Sequence, residues 1–268
     1  MAYRSALINV MVAAAQKAAR HMVRDFGEVE NLQVSRKGPA DFVSNADKRS
    51  EKILHAELSK ARPTFGFLLE EGGVIEGSDT SNRWIVDPLD GTTNFLHGLP
   101  HFAISIALER DRDIFAGVVY EPVTDQMFWA EKGQGAFLNG RRLRVSARRD
   151  MADCLFATGI PFKGSHNHAG FVQQLGAVMK ECAGVRRYGA AALDMAYVAA
   201  GRYDGYWEEG INAWDIAAGV VLVREAGGFV SEIDGGSKYL ANRNVLAATA
   251  EMHGPLGNIL RTATSKAT

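Results

Sequence analysis

Trp84-Ile85-Val86-Asp87-Pro88-Leu89-Asp90-Gly91-Thr92-Thr93-Asn94-Phe95 is where the chain's architecture and its chemistry meet. Trp84-Ile85-Val86 reads as a buried strand that ends at Asp87-Pro88, because Pro88 cannot donate to a sheet ladder. That delivers Asp87 to the carboxyl end of a strand, where ligand sites sit in layered sheets. Asp90 follows three residues on, across a turn. Gly91 allows the backbone to approach a ligand closely. Thr92 and Thr93 open a helical turn whose first N–H groups suit a phosphate. Two hard carboxylates beside an anion cradle select Mg²⁺, which keeps waters and binds jointly with substrate phosphates. A bare Asp-x-x-Asp would be only a turn with exposed acids, but the strand ahead and Gly-Thr-Thr after it reverse that reading.

Toward the N-terminus, two helices are expected. One covers about Ser5 to Phe26; the other starts after Ser44-Asn45-Ala46-Asp47 and runs to Ala61, where Pro63 stops it. Lys37-Gly38-Pro39-Ala40-Asp41 reads as a loop between them. A strand from Thr64 to Leu69 ends in Glu70-Glu71-Gly72-Gly73, and Gly77 to Asn82 reads as a loop.

Toward the C-terminus, a β-meander runs from His101 to Val145, with Asn139-Gly140 as a hairpin turn. Strands at Leu155–Thr158, Tyr203–Glu208, Phe229–Ser231 and Val245–Ala248 then alternate with helices at His168–Cys182, Ala190–Ala200, Ala213–Ala226 and Pro255–Ala263. Gly227-Gly228 caps the third of these helices. No repeat or linker interrupts the chain. The expectation is a single domain over residues 1–268, made of two packed halves at roughly 1–150 and 151–268, with helices and sheets in successive layers.

Thirty basic and 31 acidic residues leave a formal net charge of −1, which argues against a general nucleic-acid binder. The run Arg141-Arg142-Leu143-Arg144-Val145-Ser146-Ala147-Arg148-Arg149 has two readings: a charged edge strand that resists aggregation, or a contact surface for RNA or protein. With no aromatic platform beside the arginines, the edge strand is the better one. At 47% hydrophobic residues, the composition excludes disorder. Cys154 and Cys182 form no disulfide framework or metal pair, so a reduced cytoplasmic protein is expected. Arg4 and the apolar run Ala6–Ala15 resemble an export leader. Asn9 and the continuation Gln16–Arg20 favour a helix that is retained. No apolar run reaches membrane-spanning length.

Four motifs carry a resemblance. They are Asp41-Phe42-Val43-Ser44-Asn45-Ala46-Asp47, Glu70-Glu71, the segment around Asp87, and Trp214-Asp215-Ile216-Ala217-Ala218-Gly219 followed by Val223-Arg224-Glu225-Ala226-Gly227-Gly228. In this order the chain resembles the inositol monophosphatase family of Mg²⁺-dependent, often lithium-sensitive phosphatases. It is most similar to the bacterial inositol-1-monophosphatase branch that includes the extragenic suppressor protein. The resemblance implies an α+β fold, the layered α/β/α/β/α sandwich of the sugar-phosphatase type, and a homodimer. It also implies hydrolysis of inositol-1-phosphate with two to three Mg²⁺ ions.

By the same resemblance, Glu70, Asp87 and the Leu89 carbonyl would hold a first metal, and Asp87, Asp90 and Asp215 a second. Glu70 would also orient waters around a weaker third. Asp47 and Thr92 would pair to polarise the attacking water. Gly91, Thr92 and Thr93 would contact the phosphate, with Asp90 and Asp215 nearby. Glu208 would meet a substrate hydroxyl, and Lys37 would assist an incoming metal or phosphate. Leu69 stands where the family usually has Gly, which puts the loop geometry around the third metal in question, and Ala190 where many relatives have Ser or Thr, which puts the preferred alcohol in question.

The chemistry has its own logic. Phosphate-monoester hydrolysis is among the slowest uncatalysed reactions, and a two-metal clamp supplies the charge neutralisation it needs. No Ser–His or Cys–His nucleophile is evident, so water attacks directly. Fructose bisphosphate, another sugar or nucleotide phosphate, and a non-catalytic role with RNA or the transcription machinery remain the alternatives. His97 and His101 are set aside as ligands in an oxygen-rich site. Trp84, Trp129 and Trp214 are expected in the core, and Glu51 and Lys52 on a solvated helix face.

Overall fold

Apolar residues at Ile8, Met11, Val12, Ala15, Ala18, Ala19 and Met22 recur at the helical period and are buried along α1 (Ala6–Phe26). The Ser5 hydroxyl caps this helix by accepting the Ile8 N–H at 3.1 Å. The computed structural model describes residues 4–28, 34–38, 41–161 and 168–265. After α1 the loop expected at 37–41 is instead part of a hairpin, β1 (Val34–Gly38) against β2 (Asp41–Ser44), with residues 39–40 of that loop outside the described residues. Helix α2 (Asn45–Ala61) follows.

The larger sheet is built from β3 (Phe65–Leu69), β4 (Gly73–Ile75), β5 (Asp79–Asp90), β6 (Ala103–Arg110), β7 (Asp113–Glu121), β8 (Gln126–Glu131), β9 (Gly135–Leu138) and β10 (Arg141–Arg142). The short α3 (Thr92–Leu96) joins β5 to β6. The order across the sheet is β10-β9-β8-β7-β6-β5-β3-β4, with β3 and β5 parallel. Strand β10 is the edge the arginine run was expected to form, although it is only two residues long.

The smaller sheet comprises β11 (Leu155–Thr158), β12 (Gly184–Arg186), β13 (Gly205–Glu209), β14 (Phe229–Ser231) and β15 (Asn244–Ala248), in the order β12-β11-β13-β15-β14. Helices α4 (His168–Met179), α5 (Ala191–Ala199), α6 (Ala213–Glu225), α7 (Tyr239–Asn242) and α8 (Ala250–Ser265), with a 3₁₀ turn at Met151–Asp153, complete the described elements. Helix α8 starts five residues before the expected Pro255 and carries that proline inside it.

Strand alternation shows how the layers stack. Trp84, Val86, Ile104 and Ile106 face the helices α1 and α2, whereas Ile85, Ala103, Ala107 and Val119 face α5 and α6. Tyr206, Val245 and Ala247 of the smaller sheet close on α5 and α6 from the other side. Phe156, Trp207, Leu246 and Ala248 point away from them, onto α8 and Val178 of α4. The result is the five-layer α/β/α/β/α sandwich. Trp84 and Trp129 fill the core as expected; Trp214 is only half-buried and lines a cleft. Among the described residues, no helix is long and apolar enough to cross a membrane.

Candidate active site

Strand β5 does not end at Pro88. It continues to Asp90 through a bulge: Asp87 pairs with Ser105 and Asp90 with Ala103, so Pro88 and Leu89 oppose a single residue. The bulge accommodates the missing proline donor, and its polar groups find partners elsewhere. The Pro88 carbonyl accepts the Ser50 hydroxyl at 2.9 Å, and the Leu89 N–H donates to Asp87 Oδ1 at 2.9 Å. The bulge turns Asp87 and Asp90 toward one place. Gly91 follows in the left-handed region (φ 92°), where a Cβ would lie 3.0 Å from the His101 carbonyl oxygen. This turn starts α3, whose first N–H groups have no partner within the helix.

Asp215, in the first turn of α6, completes the cluster. Its Oδ2 accepts the Asn212 N–H at 2.8 Å, which fixes the carboxylate against the helix start. One carboxylate oxygen from each of Asp87, Asp90 and Asp215 lies within 4.8 Å of the others. Glu70, just past β3, shares a hydrogen bond with Asp87. Asp90 is held by the Ala192 N–H at 2.7 Å.

Burial, and the charges of Glu70, Asp90 and Asp215, push Asp87 well above the ordinary carboxylate range; it is 1% exposed. Burial and the Asp215 charge do the same to Asp90. Burial raises Asp215 to about 6, while the Asn212 N–H opposes the shift. Like charges this close, out of water, need protons or a cation to relieve them. Hard oxygen donors of this kind suit Mg²⁺, so the residues present fit the metal that the sequence implied.

Thr92 Oγ1 lies 3.0 Å from Asp47 Oδ1 and 3.0 Å from the Leu89 carbonyl oxygen. Asp47 itself is fully buried in the first turn of α2. Glu208, on β13, receives a short hydrogen bond from the Tyr206 hydroxyl. Burial raises Glu208 to about 7, and the Tyr206 hydrogen bond and the Arg187 charge work against that rise. A Cβ at Gly159 would sit 1.9 Å from the Glu208 carboxyl carbon, so the bare backbone there makes room for the acid.

Glu70, Asp90, Gly91, Thr92, Thr93, Glu208 and Asp215 all line one cleft of about 490 Å³, with Asp87, Leu89 and Asp47 beneath them. The Lys37 side chain lies outside what is described. His97 is exposed and His101 is half-buried, its ring centroid 5.0 Å from that of Tyr188. Neither joins the aspartate cluster.

Three further residues reach the cleft without a signal in the sequence. Asp194, 2% exposed, lines the same cleft, as do Arg187 and Arg243. No spacing rule announced them, because each arrives from a separate element. Glu51 is not solvated: it is buried, and its Oε2 accepts the Glu71 N–H at 2.8 Å, bracing the loop that carries Glu70. Lys52 is exposed as expected. Its neighbours explain the difference: Asp47, Ser50 and Glu51 share one face of α2, at helical spacing, and that face looks onto the site. The Asn212-x-x-Asp215 spacing is the signal by which the sequence marks this helix start.

Residues 4–265 match the family model described as the inositol monophosphatase family. An inositol-1-monophosphatase of Mesorhizobium japonicum is 61% identical over 244 residues, covering 91% of this chain and 92% of its own length. Escherichia coli Nus factor SuhB is 45% identical over 241 residues, covering 90% of each chain. The crystal structure of extragenic suppressor protein SuhB from Bartonella henselae superposes with a TM-score of 0.93 at 56% identity, covering 96% of this chain and 99% of that one.

Proposed function

The chain belongs to the inositol monophosphatase family, and from that membership we propose that it hydrolyses a small polyol phosphate monoester, inositol-1-phosphate before others, by direct attack of water. One observation carries the proposal: the Asp87–Asp90–Asp215 cluster, with Asp87 and Asp90 buried and Asp215 half-buried, opens into the same cleft as the start of α3. Metal dependence is a property of the family; the identity of the ion as Mg²⁺, and its number as two to three, are part of the proposal.

Glu70, Asp87 and the Leu89 carbonyl would hold one Mg²⁺, and Asp87, Asp90 and Asp215 a second, with Glu70 also facing a third. When bound, Mg²⁺ supplies neutralising charge and a water of lowered pKa. The chain's own residues do the rest. The first N–H groups of α3, with Gly91, Thr92 and Thr93, hold the phosphate. Thr92 donates to Asp47, which leaves the Thr92 oxygen free to accept a proton from the attacking water. That proton passes toward Asp47 as the new P–O bond forms. The ester P–O bond breaks on the opposite side, and the leaving alcohol takes its proton from solvent.

Glu208, whose carboxyl occupies the space that Gly159 leaves open, accepts a hydroxyl of the alcohol. Ala190 offers no hydroxyl beside it, so recognition there depends on Glu208 and backbone groups. Lithium, entering a Mg²⁺ position, is expected to inhibit at millimolar concentration. We further place the enzyme in the cytoplasm, as a homodimer. The free Cys154 and Cys182, both raised by burial, fit a reducing compartment. Sizing chromatography tests the dimer.

The test of substrate is phosphate release from inositol-1-phosphate, fructose-1,6-bisphosphate, histidinol phosphate and adenosine 3′,5′-bisphosphate. Turnover strongest on inositol-1-phosphate is expected. Preference for another ester would reassign the substrate and keep the mechanism.

A second reading, contact with RNA or the transcription machinery, is favoured by the relatives named Nus factor SuhB and by the exposed Arg141, Arg142 and Arg149. Arg148 has a structural partner in Asp204, at 3.3 Å. Co-purification of a partner with the inactive Asp90→Asn chain, lost when Arg141 and Arg142 become alanine, would support it. Its absence would remove it.

A further inference from the structure

Arg243 follows α7 in the left-handed region, at φ 55° and ψ 42°, where a Cβ crowds the following carbonyl oxygen. Strain of that kind is retained when the surroundings over-determine it. Here the surroundings are the loop between β13 and α6. Arg243 Nη2 donates to the Gly210 carbonyl at 2.7 Å and Nε to the Ile211 carbonyl at 3.3 Å. In return, the Arg243 carbonyl accepts the Gly210 N–H at 2.7 Å and the Ile211 N–H at 3.2 Å. Side chain and main chain of one residue thus hold the carbonyl and the N–H of both Gly210 and Ile211. An extended or right-handed backbone at 243 would turn one of those two grips away.

The gripped peptides lead straight to the metal cluster. The β13–β15 ladder ends at the pair Glu209–Asn244, and Arg243 extends the join one step past it. Asn212 comes next, and its N–H holds Asp215 Oδ2 at 2.8 Å. Arg243 also lines the cleft. We propose that Arg243 is a positioning residue that, through the Gly210–Asn212 loop, sets Asp215 for divalent-cation binding. This rests on the reading of Asp215 as a metal ligand.

The sign of the effect separates this role from a simple charge effect. A guanidinium near a cation site repels the cation, so deleting it as charge alone would tighten metal binding. Deleting it as a clamp would loosen metal binding.

The experiment is Mg²⁺ titration of the metal-free protein by calorimetry, with thermal unfolding alongside, for the parent and the Arg243→Gln, Arg243→Lys, Arg243→Ala and Arg243→Gly variants. The clamp predicts Mg²⁺ binding about tenfold weaker in Gln, Ala and Gly, and weaker in Lys although its charge is kept, because an ammonium lacks the planar fork. Metal-free Gly should unfold at a higher temperature than Ala, since it relieves the left-handed strain. At saturating Mg²⁺, all four should recover turnover to within a few-fold. Binding as tight as the parent's, or tighter, in the Gln and Ala variants overturns the clamp. So does a Lys variant equal to the parent. A parent protein that binds no Mg²⁺ takes the inference down together with the metal reading.

Discussion

A carboxyl group cut off from water is neutral unless a cation or donor answers it, and Asp87 is the sharpest case here. It is buried between Glu70, Asp90 and Asp215, all of which raise it. Asp87→Asn removes a charge shared by both metal positions, and turnover should fall by about a thousandfold or more. The same change removes like-charge repulsion, so the metal-free variant should unfold at a higher temperature than the parent near pH 8, by about 2–4 °C per kcal/mol relieved. Thermal scans with and without Mg²⁺ check this; a less stable metal-free variant would contradict the origin assigned to the shift. Thr92 acts differently, because its hydroxyl is placed to move a proton toward Asp47. Thr92→Ala should lower kcat by about 10²–10⁴-fold and change KM little. Steady-state kinetics decide this, and an effect confined to KM would reduce Thr92 to a phosphate contact.

At the scale of the element, α2 works as a bracket. Asp47, Ser50 and Glu51 reach Thr92, the Pro88 carbonyl and the Glu71 N–H from one helix face. Glu51→Ala strands the Glu71 N–H and should cost about 1–3 kcal/mol of stability. It should also raise the Mg²⁺ concentration needed for half-maximal activity, since the Glu70 loop loses its brace. A lowered melting temperature with an unchanged Mg²⁺ requirement would separate Glu51 from the site. Much of this bracket was legible in the residues: the strand into Asp87 and the turn at Gly91 lie where pattern and punctuation put them, although the helix starts at Asn45, three residues before its expected start, and β5 already begins at Asp79, inside the expected loop. The bulge was not, because Pro88 reads as a stop on one strand until its partner strand supplies the compensating register shift. The buried face of α2 was not legible either. Glu51 looks like a solvated acid until a separate loop brings its N–H to it. Arg243 and Asp194 reach the cleft from elements far away in the chain, where no local spacing marks them.

Across the whole molecule, the site lies where the two sheets and the helices α5 and α6 meet, so its acids share one titration with the fold. Asp215 is raised to about 6 and Glu208 to about 7, with Asp87 and Asp90 also raised. The folded protein therefore holds more protons than the unfolded chain between about pH 4 and pH 7, and stability falls as pH rises through that window. Metal-free protein should unfold at a lower temperature at pH 8 than at pH 5, and Mg²⁺ should restore stability more at pH 8, where it competes with fewer protons. Scanning calorimetry across that range checks both signs; a flat profile would mean that the cluster is not held neutral by the fold. The central claim is that this aspartate cluster is a metal centre for phosphoester hydrolysis. Its most direct test is phosphate release from inositol-1-phosphate by the purified protein and by Asp87→Asn, each with and without Mg²⁺. Release by the parent only when Mg²⁺ is present, and none by the variant even in excess Mg²⁺, is the predicted result. Turnover by the parent without a divalent ion, or near-normal turnover by Asp87→Asn, would contradict it.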